Sequence, residues 1–473
     1  MKKMFLAVAA ACFTGAAGLV ALPSTSSATV RTLTSASVRQ GNVQLGGGLS
    51  LPPYTQKTTL VFWAWAGPNA AMIKLFNKDY PSIKIDWYDV GASTAEYAKL
   101  TTALAANSGI PDVVELEYPY VLQYAVKGQL ANIAKWVAPY KTLIPAGDYA
   151  LEEYKGGIYG APGGPGWMGL SYQPGLLSKY HLPVPTTYAQ YASDAIALHK
   201  DDPSEYMTYF PLGDEKYLAG LMQQIGAEPF APGKSGNWVV NINSPDMEHL
   251  FNYWGGLIKD GAVQVSTDYT PSWEHEVAAG TFATYLIPQW GPGSFDSYVK
   301  PGTQAWALTH MPEWAAGVET SGNWAGGGYS VMSASKDQEA AALFALFQDL
   351  APAAIQLTLT PAAEGGGGGI PAAVAASSYK EFSAPVPDYV TKDMDALFLG
   401  YSELKDNNYS FNYGPWFTEF STVLESELTS AVEGKISYDA ALAATQSQLV
   451  SYVQGEGYSV TACKTGVNND AQC

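Results

Sequence analysis

The stretch TTLVFWAWAGPNAAMIKLFNKDYPSIKIDWY, residues 58–88, decides the fold class. Its first part, Thr59–Trp63, is apolar and rich in β-formers, and it ends at a glycine-proline turn, which is typical of a buried strand. Residues 70–78 carry apolar side chains at helical spacing, and residues 82–87 alternate apolar and polar side chains as a second strand does. A strand, a helix and a strand in this order predict an α/β unit with parallel strands.

The same alternation continues along the chain. Residues 97–107 have a helical pattern, residues 112–116 are strand-like, and residues 121–127 are helical again. This predicts a mainly parallel sheet, and ligands of such sheets bind beyond the carboxyl ends of the strands. Further helices are predicted over 188–199, 217–225, 245–259, 336–350, 417–432 and 438–452.

A set of aromatic residues stands in or next to glycine- and proline-rich turns. Its members are Trp63, Trp65, Tyr118, Tyr120, Trp167, Trp290, Trp324 and Trp416. Large flat rings held on turns can line a cleft, and rings with almost no charge beside them suit a neutral, ring-shaped, hydroxylated ligand. The pattern therefore indicates a sugar site.

The candidate ligand-binding residues follow from these turns. Trp65 and Asn69 follow the first strand, with Trp63 assigned to packing, and Glu117 and Tyr118 follow the third strand. A carboxylate such as Glu117 accepts strong hydrogen bonds from hydroxyl groups. The remaining candidates are Trp167, Trp290, Trp324, Gly327 and Trp416.

The charges near these turns narrow the ligand class. The turns lack Arg, Lys and His, so an anionic ligand is disfavoured. A cationic solute such as a polyamine stays open as an alternative, because aromatic rings together with Glu115 or Glu117 suit it.

Composition excludes other classes of protein. The chain has 473 residues, 47% hydrophobic and 14% charged, with a formal net charge of -18. This is the composition of a soluble globular protein with two or three domains. An acidic chain without a basic stripe is not expected to bind nucleic acid.

The N-terminus predicts export. Basic residues at Lys2 and Lys3 precede an apolar run over residues 4–22 and small residues ending at Ala28, as in a secretory signal peptide over residues 1–28. Residues 29–57 are rich in Ser, Thr and Gly and predict a flexible linker. Cys12 lies in a lipobox-like context, but cleavage after Ala28 would remove it, so lipid attachment stays open.

Cysteine and histidine usage gives no sign of a metal or cofactor. Cys463 and Cys473 are close together and are expected to pair in an oxidising compartment. The five histidines are scattered, and no two His or Cys share a helical face. We therefore expect neither a metal site nor a cofactor.

Several segments, taken together and in order, resemble one known family. They include Thr59–Trp65, Phe76–Ile85, Gly109–Val114, Tyr124–Leu130, Gly157–Pro162 and Gly434–Leu442. They resemble the extracellular solute-binding proteins of ABC transporters, in the carbohydrate-binding, maltose-binding-like branch (family 1). The resemblance runs from about residue 58 to residue 458.

The resemblance implies a two-lobed periplasmic-binding-protein-like α/β fold of type II, with hinge-linked lobes and a ligand cleft between them. By analogy, lobe 1 takes residues 58–168 and 312–352, lobe 2 takes 169–311 and 353–460, and 461–473 form a C-terminal tail. It also implies that the chain is a monomer, extracellular, cell-surface or periplasmic, and that permease transmembrane subunits recognise its closed form.

A secreted carbohydrate-active enzyme is the less favoured alternative. Such an enzyme needs two carboxylates facing each other across the glycosidic bond. The acidic pairs Glu152-Glu153, Asp214-Glu215 and Glu274/Glu276 each lie within one segment, and no Gly-x-Ser-x-Gly motif is present. The sequence therefore predicts a receptor and not an enzyme. A lectin is a third interpretation, and it would lack hinge closure.

Overall fold

The computed structural model describes residues 42–234, 236–292, 299, 306–383 and 411–463. The predicted signal peptide over 1–28, with Cys12, lies outside these residues, and so does Cys473. Cys463 is disulfide-bonded, and its pairing with Cys473 stays a prediction.

Helices and strands alternate along most of the described chain. The α-helices are α1 Asn69–Asp79, α2 Thr94–Ala106, α3 Tyr118–Ala125, α4 Ala134–Val137, α5 Ala146–Leu151, α6 Pro174–Lys179, α7 Tyr188–Asp201, α8 Glu215–Ile225, α9 Pro245–Lys259, α10 Pro271–Ala279, α11 Gln338–Leu350, α12 Pro352–Leu359, α13 Phe417–Val432 and α14 Tyr438–Gly455. Short 3-10 helices cover Ala138–Leu143, Ala362–Glu364, Val374–Ser378 and Lys380–Ser383. The strands are β1 Val43–Gly46, β2 Leu49–Leu51, β3 Thr58–Trp63, β4 Ile83–Tyr88, β5 Val113–Glu117, β6 Glu153–Tyr154, β7 Gly157–Ile158, β8 Ala161–Gly164, β9 Met168–Tyr172, β10 Thr208–Phe210, β11 Phe230–Pro232, β12 Trp238–Val240, β13 Val263–Val265, β14 Thr284–Pro288, β15 Ala307–Thr309, β16 Gly327–Val331 and β17 Val460–Ala462.

The predicted strand–helix alternation builds the first sheet. Its strand order is β4-β3-β5-β16-β8. β3 runs parallel to β4 and to β5, as predicted, while β16 is antiparallel to β5 and β8. The sheet is therefore mixed, and two strands of its parallel half, β3 and β4, come from the stretch over residues 58–88.

A second sheet forms around β9. β14 and β15 both pair with β9 in antiparallel fashion. β10 pairs with β13 in parallel, and it also lies beside β14, because Thr284 N donates to Met207 O at 2.8 Å. A small separate sheet, β11-β12-β17, completes this half of the molecule.

Side-chain caps and prolines set several helix starts. Asp214 accepts hydrogen bonds from the backbone N–H of Lys216 and Tyr217 at the start of α8, at 2.9 and 2.8 Å. Thr187 and Ser437 cap α7 and α14 in the same way. Such caps satisfy backbone donors that a helix leaves unpaired at its first turn.

Two apolar cores lie behind the two sheets. One contains the buried side chains of β3, α1 and α11, including Phe62, Phe76 and Phe344. The other contains those of α8, α9 and α13, including Leu221, Trp254 and Phe420. The sheets with their cores are called the first and second lobe below.

The chain crosses between the sheets at two places that lie side by side. It passes from β8 to β9 through residues 165–167 and returns from β15 to β16 through residues 310–326. Trp167 and Asn323, one from each crossing, form an antiparallel bridge. The lobe boundaries expected by analogy stay a prediction.

Packing changes one of those boundaries. Residues 353–460 were assigned to lobe 2, but Ile355, Leu359 and Ile370 are buried in the same core as the strands of the first sheet. We therefore place 353–383 with the first lobe. After residue 383 the next helix that the structure describes is α13, in the second lobe.

The flexible linker predicted over 29–57 is wrong from residue 43 onward. β1 and β2 form an antiparallel hairpin there, and Leu49 and Leu51 are buried in the core of the first lobe. The tail predicted from residue 461 also begins inside β17, which pairs with β12.

None of the described helices alone has the length and hydropathy of a membrane span. The bent pair formed by α11 and α12 meets that test jointly, by length and composition.

Candidate functional site

A cavity of about 350 Å³ lies at the carboxyl ends of β3 and β5. We call it the carboxyl-end cavity. Residues after β3, the last residues of β5 and residues after β14 of the second lobe line it. Its polar and aromatic lining consists of Trp65, Asn69, Glu115, Glu117, Gln289, Trp290, Tyr329, Gln348 and Asp349. Among its described lining residues none is Lys, Arg or His.

The turn after β3 is fixed by Glu115. The backbone N–H groups of Trp65 and Ala66 donate to Glu115 Oε2 at 3.0 and 3.1 Å. The Trp65 ring stands edge-on to Tyr97, with ring centroids 5.9 Å apart. Asn69 opens α1 and donates through Nδ2 to Ala66 O at 2.8 Å. The Trp65 ring is therefore fixed in position at the wall of the cavity.

Trp290 forms the wall from the second lobe. Its ring lies 5.8 Å from that of Trp324, and its Nε1 donates to Trp324 O at 3.4 Å. The preceding Gln289 donates through Nε2 to Pro165 O at 2.8 Å. Its Oε1 accepts from Ile370 N at 3.2 Å. These bonds attach the second-lobe wall to a crossing and to the first lobe.

Gly327 lets β16 approach β5 closely. It is the register partner of Glu117, and a Cβ placed on it would lie 2.5 Å from Leu116 O. Any larger side chain would displace β16 from β5 or close the cavity. The role predicted for Gly327, amide groups offered to hydroxyls, stays a prediction.

Glu117 lies at the cavity but is engaged by protein groups. Its Oε2 accepts from Ser93 Oγ at 2.7 Å and from Tyr97 OH at 2.9 Å. Its Oε1 lies 3.8 Å from Lys216 Nζ of α8 in the second lobe. Burial alone would lower the pKa of Lys216, but the charges of Glu117, Asp214 and Glu215 raise it. Glu117 therefore links the lobes as an ion pair.

The deep end of the cavity is acidic. Burial raises the pKa of Glu115 to about 7, despite its two backbone donors. Burial, with the charges of Asp148 and Glu115, raises the pKa of Asp349 well above its ordinary value. Tyr329 is the register partner of Glu115, and burial with both carboxylate charges raises its pKa as well.

Three predicted ligand residues are packed in the interior, so their assignment to the cavity is wrong. Trp167 and Trp324 are each 1% exposed and Tyr118 is 1% exposed. Trp324 donates through Nε1 to Asp214 Oδ2 at 3.1 Å, and its ring packs against Tyr217 at 4.9 Å. The residues that pack around these three rings come from distant parts of the chain. The glycine-rich residues next to each ring in sequence therefore did not indicate that the ring is buried.

Trp416 belongs to a different cavity. It is 6% exposed, and its ring packs edge-on against Trp238 and Tyr458 at 5.4 and 4.9 Å. It lines a cavity of about 870 Å³ between α2, α3 and α13, called the Trp416 cavity below. Tyr120, whose hydroxyl donates to Glu215 Oε1, lines it too. The predicted grouping of Trp416 with Trp65 and Trp290 is therefore wrong for this structure.

The structure adds cavity residues that the sequence did not single out. Gln289, Tyr329, Gln348 and Asp349 line the carboxyl-end cavity, as do glycines of the run 365–369. A signal was present for two of them. Gln348 and Asp349 form a polar pair near the end of the otherwise apolar α11, and all residues of α11 from 340 to 350 are buried.

Comparison with known proteins agrees with this architecture. A sequence model described as bacterial extracellular solute-binding protein matches residues 71–380. No curated protein matches the chain.

Solved structures share the fold. An ABC transporter associated binding protein from B. animalis subsp. lactis Bl-04, in complex with beta-1,6-galactobiose, has a TM-score of 0.72 and 21% identity, covering 86% of this chain and 100% of that chain. The galacto-N-biose-/lacto-N-biose I-binding protein from Bifidobacterium longum has a TM-score of 0.69 and 17% identity, covering 86% and 100%. The sugar-binding protein MalE from Xanthomonas citri has a TM-score of 0.68 and 19% identity, covering 85% and 98%.

The match of the sequence model covers more than half of the chain, and the two-lobed α/β fold agrees with it. The chain therefore belongs to the family of bacterial extracellular solute-binding proteins.

Proposed function

We propose that this chain is the extracytoplasmic receptor of an ABC importer and that it binds a mono- or oligosaccharide in the carboxyl-end cavity. The observation that carries the proposal is the pairing of Trp65 from the first lobe with Trp290 from the second lobe on the walls of one cavity. Rings from both sides suit the flat faces of a sugar, and the polar side chains between them suit its hydroxyl groups.

The named relatives support this ligand class. One is described in complex with beta-1,6-galactobiose, one in complex with lacto-N-biose, and one as a sugar-binding protein. Two of them are described as parts of ABC transporters. A permease is therefore the proposed partner, with export by the signal peptide over residues 1–28.

Contacts between the lobes support a hinge that closes on the ligand. Lys216 of α8 lies 3.8 Å from Glu117 and 3.3 Å from Ser93 Oγ of the first lobe. Thr418 of α13 donates to Gln123 of α3 at 2.9 Å. Apolar packing of Tyr120 against Phe417 accompanies these polar contacts. A ligand that contacts both lobes favours the closed arrangement.

A thermal-shift screen over mono-, di- and oligosaccharides tests the proposal, with polyamines and phosphate as controls. A ligand that binds only the folded state raises the melting temperature. We expect a saccharide to do so and to reduce the radius of gyration in solution scattering. If only the controls stabilise the protein, or if no saccharide in the panel does, the proposal is contradicted.

A further inference from the structure

The deep end of the carboxyl-end cavity carries polar side chains that the protein leaves unsatisfied. Gln348 and Asp349 are 2% and 4% exposed, and both line the cavity. Gln348 Nε2 and Asp349 Oδ2 have no hydrogen-bond partner among the residues that the structure describes. A buried polar group without a hydrogen-bond partner destabilises the folded state. Two such groups beside one cavity indicate a ligand that supplies their partners.

The charge of this end has one sign. Glu115 and Glu117 are two residues apart on β5 and therefore point to the same face of the sheet. Asp349 adds a third carboxylate from α11, close enough that its charge and that of Glu115 influence each other. The lining residues that the structure describes include no cation to balance them.

The lysine beside Glu117, Lys216, already forms ion pairs with other carboxylates. Lys216 pairs with Glu117 and Glu215, at 3.8 and 3.7 Å. The ionisable groups that face Glu115 are Glu117, Asp89 and Glu96, together with Asp349 and the Tyr329 phenol, and those that face Asp349 include Asp148. Glu115 and Asp349 therefore have no positive partner among the described residues.

A metal ion does not fit this cluster. Within the described part of the chain no three His, Cys, Asp or Glu side chains are arranged to hold one. A ligand that brings its own cation satisfies the carboxylates instead, because an ammonium group has three N–H donors and no acceptor.

Resting on the proposed function, we propose that the bound saccharide carries a protonated amino group and is therefore an amino sugar. Its ammonium group lies between Glu115 and Asp349, and Gln348 Nε2 donates to one of its hydroxyl or ring oxygens. The faces of Trp65 and Trp290 suit both a sugar ring and a nearby cation. This refines the neutral ligand predicted from the sequence, and a polyamine lacks the oxygen that Gln348 requires.

The protonation of the cavity carboxylates predicts a measurable release of protons when an amino sugar binds. Burial raises the pKa of Glu115 to about 7, so the free protein is partly protonated there near neutral pH, and burial raises the pKa of Asp349 in the same direction. An ammonium ion replaces those protons, and binding releases them to the solvent. Affinity for an amino sugar then falls as the pH falls, whereas a neutral sugar releases no protons.

Matched pairs of sugars test the proposal by titration calorimetry at pH 7. The pairs are glucosamine with glucose, galactosamine with galactose, and fully deacetylated chitobiose with cellobiose. We expect the amino member of at least one pair to bind about tenfold or more tightly than its neutral partner. Repeating the titration in two buffers of different ionisation enthalpy should show proton release for the amino member alone.

Two variants test whether the carboxylates cause the preference for the amino sugar. Asp349→Asn and Glu115→Gln keep the shape of each side chain, and each should reduce the preference for the amino member to about parity. Glu339→Gln on the same helix removes an exposed acid and should leave the preference unchanged. The melting temperature and the circular dichroism spectrum of each variant show whether it is folded.

The outcomes separate the two proposals. Equal or stronger binding of the neutral members overturns the amino-sugar inference and leaves the receptor function intact. Binding of neither member of any pair, or an amine preference that survives both variants, also overturns the inference. The absence of binding across the wider saccharide panel counts against the proposed function itself.

Discussion

Individual side chains of the carboxyl-end cavity are held before a ligand arrives. Trp65 follows a backbone that Glu115 fixes with two hydrogen bonds, and Trp290 is attached to Trp324. Rings that are already ordered lose little conformational freedom on binding, so more of the stacking energy contributes to affinity.

Replacing either ring therefore weakens binding without unfolding the protein. Trp65→Ala and Trp290→Ala should each reduce saccharide affinity about tenfold, because a stacked ring contributes ~1–1.5 kcal/mol beyond the area it buries. Titration calorimetry measures the change. Trp87→Ala is the matched control, since Trp87 is 37% exposed and lines neither of the two cavities described above. Equal affinities for all four proteins would remove both rings from the site.

Trp167 acts on stability and not on affinity. Its ring is 1% exposed, and its carbonyl accepts from Gln289 N at 2.8 Å at the crossing. Trp167→Ala should lower the free energy of unfolding by about 3–5 kcal/mol, as is usual when a buried tryptophan is truncated. Chemical denaturation measures it, with Trp87→Ala as the control. A loss of less than 1 kcal/mol would show that the ring is not part of the core.

Trp167 and Trp290 show how well the sequence alone predicts where a single side chain lies. Both stand in glycine-rich turns, and both were predicted to line the cleft. Trp290 does line a cavity, whereas Trp167 is covered by parts of the chain far away in sequence. The local sequence shows that a ring sits on a turn, but the burial of that ring depends on tertiary contacts.

At the scale of elements, the sequence predicted most of the secondary structure. The helices predicted over 245–259 and 417–432 form with those bounds, as α9 and α13. Their apolar stripes and the flanking Pro245 carry enough local information. The antiparallel strand β16 was not predicted, because Gly327 and Gly328 have low strand propensity and are placed there by close packing against β5 and β8.

Glycine in β16 is a requirement of that packing. Gly327→Ala should lower the free energy of unfolding by about 1–3 kcal/mol, because the new Cβ would lie 2.5 Å from Leu116 O. Gly256→Ala in α9 is the control, since its Cβ meets nothing within 4 Å. Alanine favours a helix interior, so this control should be neutral or stabilising. A Gly327→Ala protein as stable as the control would contradict the close approach of β16 to β5.

At the scale of the whole molecule, the first lobe contains carboxylates without counter-charges. Asp148 and Glu152 are 2% and 1% exposed, and neither oxygen of Glu152 has a hydrogen-bond partner. Burial raises the pKa of Asp148 to about 8, and burial with the charge of Asp148 raises that of Glu152 to about 8. Their ordinary values are 3.8 and 4.5.

The raised pKa values of Asp148 and Glu152 determine how the stability of the fold changes with pH. The folded protein keeps protons on Asp148 and Glu152 that the unfolded chain loses at lower pH, so these groups favour the folded state in acid. That contribution is complete below their ordinary pKa values and is lost as the pH rises toward about 8. The melting temperature should therefore fall between mildly acidic pH and pH 8.

Replacing both carboxylates tests this pH dependence. Asp148→Asn combined with Glu152→Gln should flatten the melting temperature against pH, and Glu153→Gln, which removes the adjacent exposed acid, should leave the slope as it is. Calorimetric scans from pH 4 to 8 measure both. The same slope in the double variant and the wild type would show that other groups cause it.

The two-lobed organisation was predicted from family resemblance and not from local patterns. The chain crosses at 165–167 and 310–326, and the lobe boundaries stay a prediction. The placement of 353–383 differs from the expected one, because the sequence pattern of α12 shows that it is apolar but not which sheet covers it. Residue-level patterns predict elements well, whereas long-range packing decides which lobe a segment joins.

The central claim is that a saccharide binds between Trp65 and Trp290 at the carboxyl ends of β3 and β5. A crystal structure of the complex with a saccharide from the thermal-shift screen tests it most directly. The account predicts a sugar ring against one or both indoles, with a polar group of the ligand within hydrogen-bond distance of Glu115 or Asp349. A saccharide seated in the Trp416 cavity, with the carboxyl-end cavity free of ligand, would contradict it.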